Sequence, residues 1–146
     1  MSTNNQRFAV SIHILTILAA STDASVTSEA IAASVDTNPV VIRRTMSRLR
    51  ECGLVDSRPG ASGGWKLGLP AEQISLCRVF EAVGCGNVLF MHEHPNADCT
   101  IGGKIKVPLG KIFGRAQNAL EASLGQFTIA DVLHDVMVLH QEDEAK

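Results

Sequence analysis

The sequence predicts a mainly α-helical fold that carries one small β-hairpin. Apolar residues recur at spacings of three and four over several segments, which is the period of an amphipathic helix. Residues 54–69 instead contain two short strand-like runs around a turn rich in glycine and proline. The hairpin directly follows an arginine-rich helix. This order is the layout of a winged helix-turn-helix, in which the helix fits a DNA major groove and the hairpin, the wing, reaches the backbone or minor groove.

Two helices are expected before the basic helix. A broad apolar stripe predicts the first over residues 8–20, through Phe8, Ile12, Leu15 and Ala19. Thr27 is a candidate N-cap for a short second helix, with Glu29 close to the positive end of its dipole. These two helices would support the third and complete the three-helix core of a helix-turn-helix.

The third helix has a defined start and end. Asn38 suits the N-cap, Pro39 the first helical position and Gly53 the stop. One face is apolar, with Ile42, Met46 and Leu49. The opposite face carries Val40, Arg43, Arg44, Ser47 and Glu51, flanked by Arg48 and Arg50.

The basic residues of this helix are all arginines, four of them within residues 43–50. A planar guanidinium pairs bidentately with guanine or phosphate, and no lysine is used in this helix. Most charged faces are merely solvated. A wing at the expected place favours DNA contact here, and we include Arg48 among the expected contacts.

The predicted wing pairs residues 54–58 with residues 65–69 as antiparallel strands. Arg58 and Lys66 flank its tip, which consists of small and turn-forming residues: Pro59, Gly60, Ala61, Ser62, Gly63 and Gly64. Small residues let the backbone come close to a phosphate or a groove floor. The alternative is an ordinary flexible hairpin. The basic helix directly before it makes this alternative less favoured.

The second half of the chain predicts three more helices around a long loop. Ser75 is the expected N-cap of the fourth, residues 84–103 form the loop, and the fifth spans residues 106–124. A cap at Thr128 with Asp131 starts the last helix, which is expected to end near His140 and leave residues 141–146 frayed. We expect a DNA-binding domain over residues 1–70. Residues 71–146 would supply a sensor loop and dimerisation helices.

The long fifth helix is the natural dimerisation element. A single recognition helix gains little affinity alone, whereas two copies read half-sites about one turn apart. The alternative is that this helix only completes an intramolecular core.

Charge is distributed unevenly along the 146 residues, although the net charge is only −2. Residues 38–67 hold six basic and two acidic side chains, whereas residues 70–146 hold six basic and ten acidic ones. A basic DNA-binding segment followed by an acidic remainder of the chain indicates a specific nucleic-acid binder. No apolar run approaches the ~18 residues that span a membrane, and no signal-peptide layout is present, so the expected location is the cytoplasm.

A resemblance to a known family is carried by four segments: FAVSIHIL (8–15), NPVVIRR (38–44), RPGASGGWKL (58–67) and ISL (74–76). They are similar to the Rrf-two (Rrf2) family of bacterial winged-helix regulators, which includes iron–sulfur-cluster, nitric-oxide and cysteine-metabolism repressors. The match covers nearly the whole chain, and the loop at residues 94–102 is similar to the YwnA-type subgroup.

This resemblance implies a homodimeric repressor that binds a double-stranded DNA operator. By position it places seven residues of the helical core against DNA: Ser28, Thr37, Asn38, Val40, Arg43, Arg44 and Ser47. In the wing it implies contacts from the segment that runs from Arg58 to Lys66.

The sensing loop departs from the family pattern. Cluster-binding members carry three cysteines between the fourth and fifth helices, whereas this loop holds only Cys85 and Cys99, and Cys77 lies earlier on a helix. We therefore expect no iron–sulfur cluster and no other cofactor. Cys99 is the candidate sensor for an oxidant or electrophile, with Cys85 as the residue that could resolve a sulfenic acid. The alternative is an inert packed thiol.

The remaining candidates for chemistry are weaker. His92, His94, Asp98 and Cys99 match no zinc-site spacing, even with His134 or His140 added, so no metal site is expected. Cys52 is expected to be a small core residue.

Two other classes of protein compete with a DNA-binding regulator. An enzyme is not expected, because no nucleophile-elbow, phosphate-loop or metalloprotease spacing occurs. A winged-helix protein-interaction module that does not bind DNA is the second alternative. A mobility-shift assay at two salt concentrations separates these classes, because only DNA binding weakens steeply with salt.

Overall fold

The structure, a computed structural model, describes residues 3–21 and 23–146. In chain order these residues form α1 (Thr3–Ala20), α2 (Ser28–Val35), α3 (Pro39–Glu51), β1 (Val55–Arg58), β2 (Gly64–Leu67), a 3-10 helix (Ala71–Gln73), α4 (Leu76–Ala82), α5 (Lys106–Leu124) and α6 (Ile129–Glu144). The mainly helical fold with one antiparallel hairpin is confirmed. No helix of this part of the chain is long and apolar enough to cross a membrane.

The helix starts follow their capping residues. Thr27, Ser75 and Thr128 each accept a hydrogen bond from the backbone N–H three residues ahead. Asp131 returns the contact by accepting from the Thr128 N–H at 2.8 Å, which completes a capping box at the start of α6. These caps satisfy N–H groups that have no partner inside a helix.

One hydrophobic core runs through both halves of the chain. It contains Leu15 of α1 and Ile42 of α3, and it also contains Val79 of α4 and Ile129 of α6. The N-terminal ends of α4 and α6 are joined by backbone hydrogen bonds, Leu76 N–H to the Phe127 carbonyl and Ile129 N–H to the Ile74 carbonyl, each at 2.9 Å. The two sides of the predicted boundary near residue 70 therefore share one core.

Helix α5 differs from the other long helices because none of its 19 residues is buried. Its inner side faces the long loop of residues 83–105, where Gln117 accepts from the Val88 N–H at 3.1 Å and donates to the Gly86 carbonyl at 2.8 Å. The other side of α5 is open in the single chain.

Three sequence-based expectations about helix ends and burial are wrong. Helix α1 begins at Thr3 rather than at residue 8, because its first turns are polar and leave no apolar pattern. Helix α6 continues to Glu144 rather than ending near His140, and a His140–Glu144 contact of 3.5 Å spans its last turn. Cys52 is exposed rather than buried, because it follows the last buried turn of α3 as its C-cap.

Candidate nucleic-acid interface

Helix α3 presents its polar face to solvent because its apolar face is fully used. Ile42, Met46 and Leu49 are buried in the core. At the N-terminus the Asn38 Oδ1 accepts from the Val40 N–H at 2.8 Å, with Pro39 in the first turn. The predicted polar face and the two arginines that flank it, Arg48 and Arg50, are exposed as expected: Val40, Arg43, Arg44, Ser47, Arg48, Arg50 and Glu51.

The exposed arginines of α3 have different neighbours. Arg43 Nη1 lies 3.4 Å from Glu29 Oε1, but both side chains are more than half exposed, so this ion pair is weak and can exchange for another anion. Arg48 donates from Nε to the Ala82 carbonyl at 3.0 Å and is thereby tied to the end of α4. Arg44 has neither contact and keeps its guanidinium free within the described chain.

Arg50 connects α3 to the wing. Its Nη1 donates to Ser57 Oγ at 3.3 Å, and its guanidinium carbon lies 6.0 Å from the centre of the Trp65 ring. Both contacts are made to strands of the hairpin, which sets the wing at a fixed angle to the helix.

Trp65 anchors the wing to the helical core. Its backbone pairs with Val26 through two hydrogen bonds of 3.0 and 2.8 Å, and its indole Nε1 donates to Ser28 Oγ at 3.0 Å. Gly64, just before it, has a φ of +151°, and an added Cβ would come within 2.6 Å of the Val26 carbonyl oxygen. The hairpin thus packs against the segment before α2 and leaves Arg58 and the tip, residues 59–62, exposed.

The position of Ser28 does not fit the DNA contact that the family resemblance implies for it. It is only 6% exposed, and its hydroxyl accepts the Trp65 N–H. We assign it to positioning the wing rather than to touching DNA. The indole–hydroxyl contact joins residues 37 positions apart, so no local sequence signal indicated it.

The two loop cysteines lie in opposite environments. Cys99 is exposed, and hydrogen bonds from the backbone N–H groups of Gly102 and Ile101 hold the pKa of its thiol below the ordinary value. Cys85 is buried, and burial raises the pKa of its thiol. Cys77, on α4, also has a raised pKa, caused by burial and then by Glu81 and Glu121.

Metal ligands do not gather in the described part of the chain. Across residues 3–21 and 23–146, no group of three His, Cys, Asp or Glu side chains is placed to hold an ion. Cys85 and Cys99 are the only cysteines of the loop, and one is buried while the other is exposed. This donor set does not fit an iron–sulfur cluster, which takes several thiolates.

A basic helix on a three-helix core, followed by an anchored hairpin, defines a winged helix-turn-helix DNA-binding protein. Residues 4–135 match the Rrf2 family, described as iron-dependent transcriptional regulators. The chain belongs to this family and is a DNA-binding transcriptional regulator.

Individual relatives agree with this assignment. The chain is 42% identical over 131 residues to the HTH-type transcriptional regulator YwnA of Bacillus subtilis (strain 168), a match covering 89% of this chain and 96% of the relative. A crystal structure described as a DNA-binding protein is 36% identical, with a TM-score of 0.71 over 87% of this chain and 98% of the other. A transcriptional regulator from Lactobacillus plantarum is 26% identical, with a TM-score of 0.77 over 96% and 98%.

Proposed function

We propose that this regulator represses transcription as a homodimer that binds a palindromic or pseudo-palindromic operator. The observation that carries the proposal is the fixed pairing of an exposed arginine face on α3 with a wing anchored through Trp65. Such a unit reads a major groove with the helix and adds backbone or minor-groove contacts with the wing. We assign no catalytic role to the chain. Because bacterial operators lie in the cytoplasm, we infer that the protein acts there.

The proposed DNA contacts divide by the part of the duplex they reach. On α3 and just before it we assign base-edge or nearby backbone contact to Thr37, Asn38, Val40, Arg43, Arg44 and Ser47. On the wing we assign contact to Arg58, Gly60, Ala61, Ser62, Gly63 and Lys66. Arg48 is tied to the Ala82 carbonyl, so we assign it a phosphate contact from its remaining donors.

The proposed dimer forms through the open side of α5 and the exposed apolar residues near the end of α6. Apolar side chains are exposed there to an extent that is unusual for a helix in a single chain: Val107 is 65%, Ile112 58% and Leu139 61% exposed. Contact with the same surface of a second copy would bury these side chains. It would also hold the two DNA-binding helices at a fixed separation.

The experiment begins with selection of an operator from random duplexes by the full-length protein. Mobility shifts are then measured at two salt concentrations for the protein and for Arg44→Ala, with Arg78→Ala as a matched control on α4. Loss of one bidentate base contact should cost about 1–3 kcal/mol on the operator, and the control should bind like the parent. Absence of salt-dependent binding would favour a protein-interaction module instead.

We further propose Cys99 as the site where an oxidant or electrophile acts. Its exposure and the two backbone N–H groups that stabilise its thiolate support this role. The loop leads directly into α5, so a modification there would change the support of the proposed dimer helix. Cys85 is buried, so a disulfide with it would require the loop to rearrange. The test is DNA affinity before and after mild peroxide, for the parent and for Cys99→Ser.

A further inference from the structure

A cavity of about 330 Å³ lies beside α3, between α1 and the end of α4. Among the described residues, three arginines and three smaller side chains line it: Arg7, Val41, Arg44, Thr45, Arg48 and Val83. No acidic side chain is among them. Its volume lies at the lower end of the range for sites that enclose small molecules, about 300–1,000 Å³.

Arg48 is held in place at the wall of this cavity. Its Nε donates to the Ala82 carbonyl at 3.0 Å, and its Nη2 lies so close to Gly84 that a Cβ there would come within 2.7 Å. A guanidinium fixed in this way loses little conformational freedom when it binds an anion. Its Nη groups have no hydrogen-bond partner in the described chain, so they remain available as donors.

The three guanidinium groups are not neutralised within residues 3–21 and 23–146. None of them forms an ion pair there, whereas the neighbouring Arg43 pairs with Glu29. The field of two of them reaches a buried sulfur: burial raises the pKa of Cys85, and the charges of Arg7 and Arg48 oppose that rise. Arg7 and Arg48 therefore converge on one region although they belong to different helices.

The cavity lies on the flank of α3 rather than on its outward face. Val41, Thr45 and Arg48 follow one another at spacings of four and three, which places them on the side toward α1 and α4. Arg44 lies at the border between this stripe and the outward arginine face, so its guanidinium can serve either the cavity or DNA.

We propose that this cavity binds a small oxyanion from solution, of the phosphate class, and that the bound anion engages Arg44 and weakens DNA binding. Three guanidinium groups supply the paired N–H donors that a phosphate dianion accepts. The binding step does not depend on DNA, whereas the effect on DNA rests on the proposed function.

Calorimetric titration of the DNA-free, full-length protein with inorganic phosphate tests the binding step. Ionic strength is held constant with chloride, and Arg7→Gln is compared with Arg78→Gln, a matched control outside the cavity. The parent and the control should bind phosphate equally, and Arg7→Gln about tenfold more weakly, since one charge-assisted hydrogen bond is lost. Circular dichroism shows whether Arg7→Gln is folded, and Arg7→Lys, which keeps the charge, should retain more affinity than Arg7→Gln. No binding by the parent, or one dissociation constant for all variants, would overturn the proposal.

A backbone phosphate of bound DNA is the other source of the same chemistry. If the cavity took only this backbone phosphate, which we also assign to Arg48, Arg7→Gln would weaken duplex binding but leave the titration with free phosphate unchanged, and the proposal would be overturned. The proposal instead expects phosphate, at constant ionic strength, to weaken duplex binding by the parent and by Arg78→Gln more than by Arg7→Gln. Failure of every variant to bind DNA, with the phosphate titration as expected, would refute the proposed function and leave the cavity assignment standing.

Discussion

At the scale of single residues, the two arginines that face outward from α3 and the arginine of the wing should differ in what they contribute. Arg43→Ala and Arg44→Ala should each cost about 1–3 kcal/mol on the operator and less on random duplex, because base edges carry the sequence information. Arg58→Ala should weaken both duplexes alike and reduce the slope of log affinity against log salt by about one. Fluorescence anisotropy measures binding of each variant to both duplexes. If Arg43→Ala and Arg44→Ala lost as much affinity for random duplex as for the operator, as Arg58→Ala should, α3 would make no base contacts through these arginines.

Cys99 should react at lower pH than an ordinary thiol. The thiolate is the reactive form, it is populated above the pKa, and hydrogen bonds from the Gly102 and Ile101 N–H groups lower that pKa. The alkylation rate of Cys99 should therefore reach half of its maximum at lower pH than that of Cys77, whose pKa is raised. Iodoacetamide labelling followed by peptide mass spectrometry gives both profiles. Coincident profiles would show that the loop does not activate Cys99.

Some single-residue features could be predicted from sequence and others could not. The caps at Asn38 and Thr128 depend on atoms two or three positions away, so a local pattern predicted them. The convergence of Arg7 with Arg44 and Arg48 depends on how α1 packs beside α3, and no spacing along the chain indicates it. Cys52 was misplaced because its apolar character suggested burial, whereas the turn at Gly53, with a φ of +74°, leaves it outside.

At the scale of elements, the wing should depend on Gly64. Gly64→Ala places a methyl group against the Val26 carbonyl in a backbone conformation that suits glycine, so we expect a loss of about 1–3 kcal/mol in stability. Gly86→Ala is the control, because an added Cβ there meets nothing within 4 Å. Urea unfolding measures both. If the two variants were equally stable, the contact between the wing and Val26 would not hold the hairpin in place.

Helix α5 should carry the dimer contact on its open side. Ile112→Lys places a charge on a side chain that is 58% exposed in the single chain, and it should convert the dimer to a monomer of 15.6 kDa. Asn118→Lys adds the same charge to a polar, exposed position of the same helix and should leave the dimer intact. Sedimentation equilibrium at micromolar concentration distinguishes the two. A dimeric Ile112→Lys variant would place the interface elsewhere.

The elements differ in how far their ends could be predicted. The bounds of α5, residues 106–124, agree with the prediction because apolar residues recur at helical spacing along its length. The ends of α1 and α6 were missed because polar, exposed turns extend both helices without adding to the apolar pattern. The position of the wing depends on hydrogen bonds between Trp65 and the distant residues Val26 and Ser28. The sequence showed the tryptophan but did not indicate its partners.

At the scale of the whole molecule, the protein should function without an iron–sulfur cluster, in contrast to the iron dependence in the description of its family. The loop supplies one exposed and one buried cysteine, and the described residues bring no third donor to them. Protein purified without oxygen should be colourless and should contain no stoichiometric iron or sulfide. A brown protein with both elements would overturn this expectation.

The shared core relates the two halves of the molecule. Because Val79 and Ile129 pack with Leu15 and Ile42, the proposed dimerisation helices and the helices that present α3 rest on one core. In the proposed dimer, a change in the loop before α5 would therefore alter the separation of the two DNA-binding helices. Their fixed separation must match the half-site spacing, so a small rotation would remove much of the operator affinity.

Anisotropy of the full-length protein on its selected operator, compared with a scrambled duplex of equal length at two salt concentrations, tests the central claim most directly. We expect the operator to bind on the order of 10³-fold more tightly or better, and both affinities to fall as salt rises. The operator should also be palindromic, with half-sites about one helical turn apart. Equal affinity for the two duplexes, or binding that does not respond to salt, would contradict the assignment of this winged helix-turn-helix as a sequence-specific regulator.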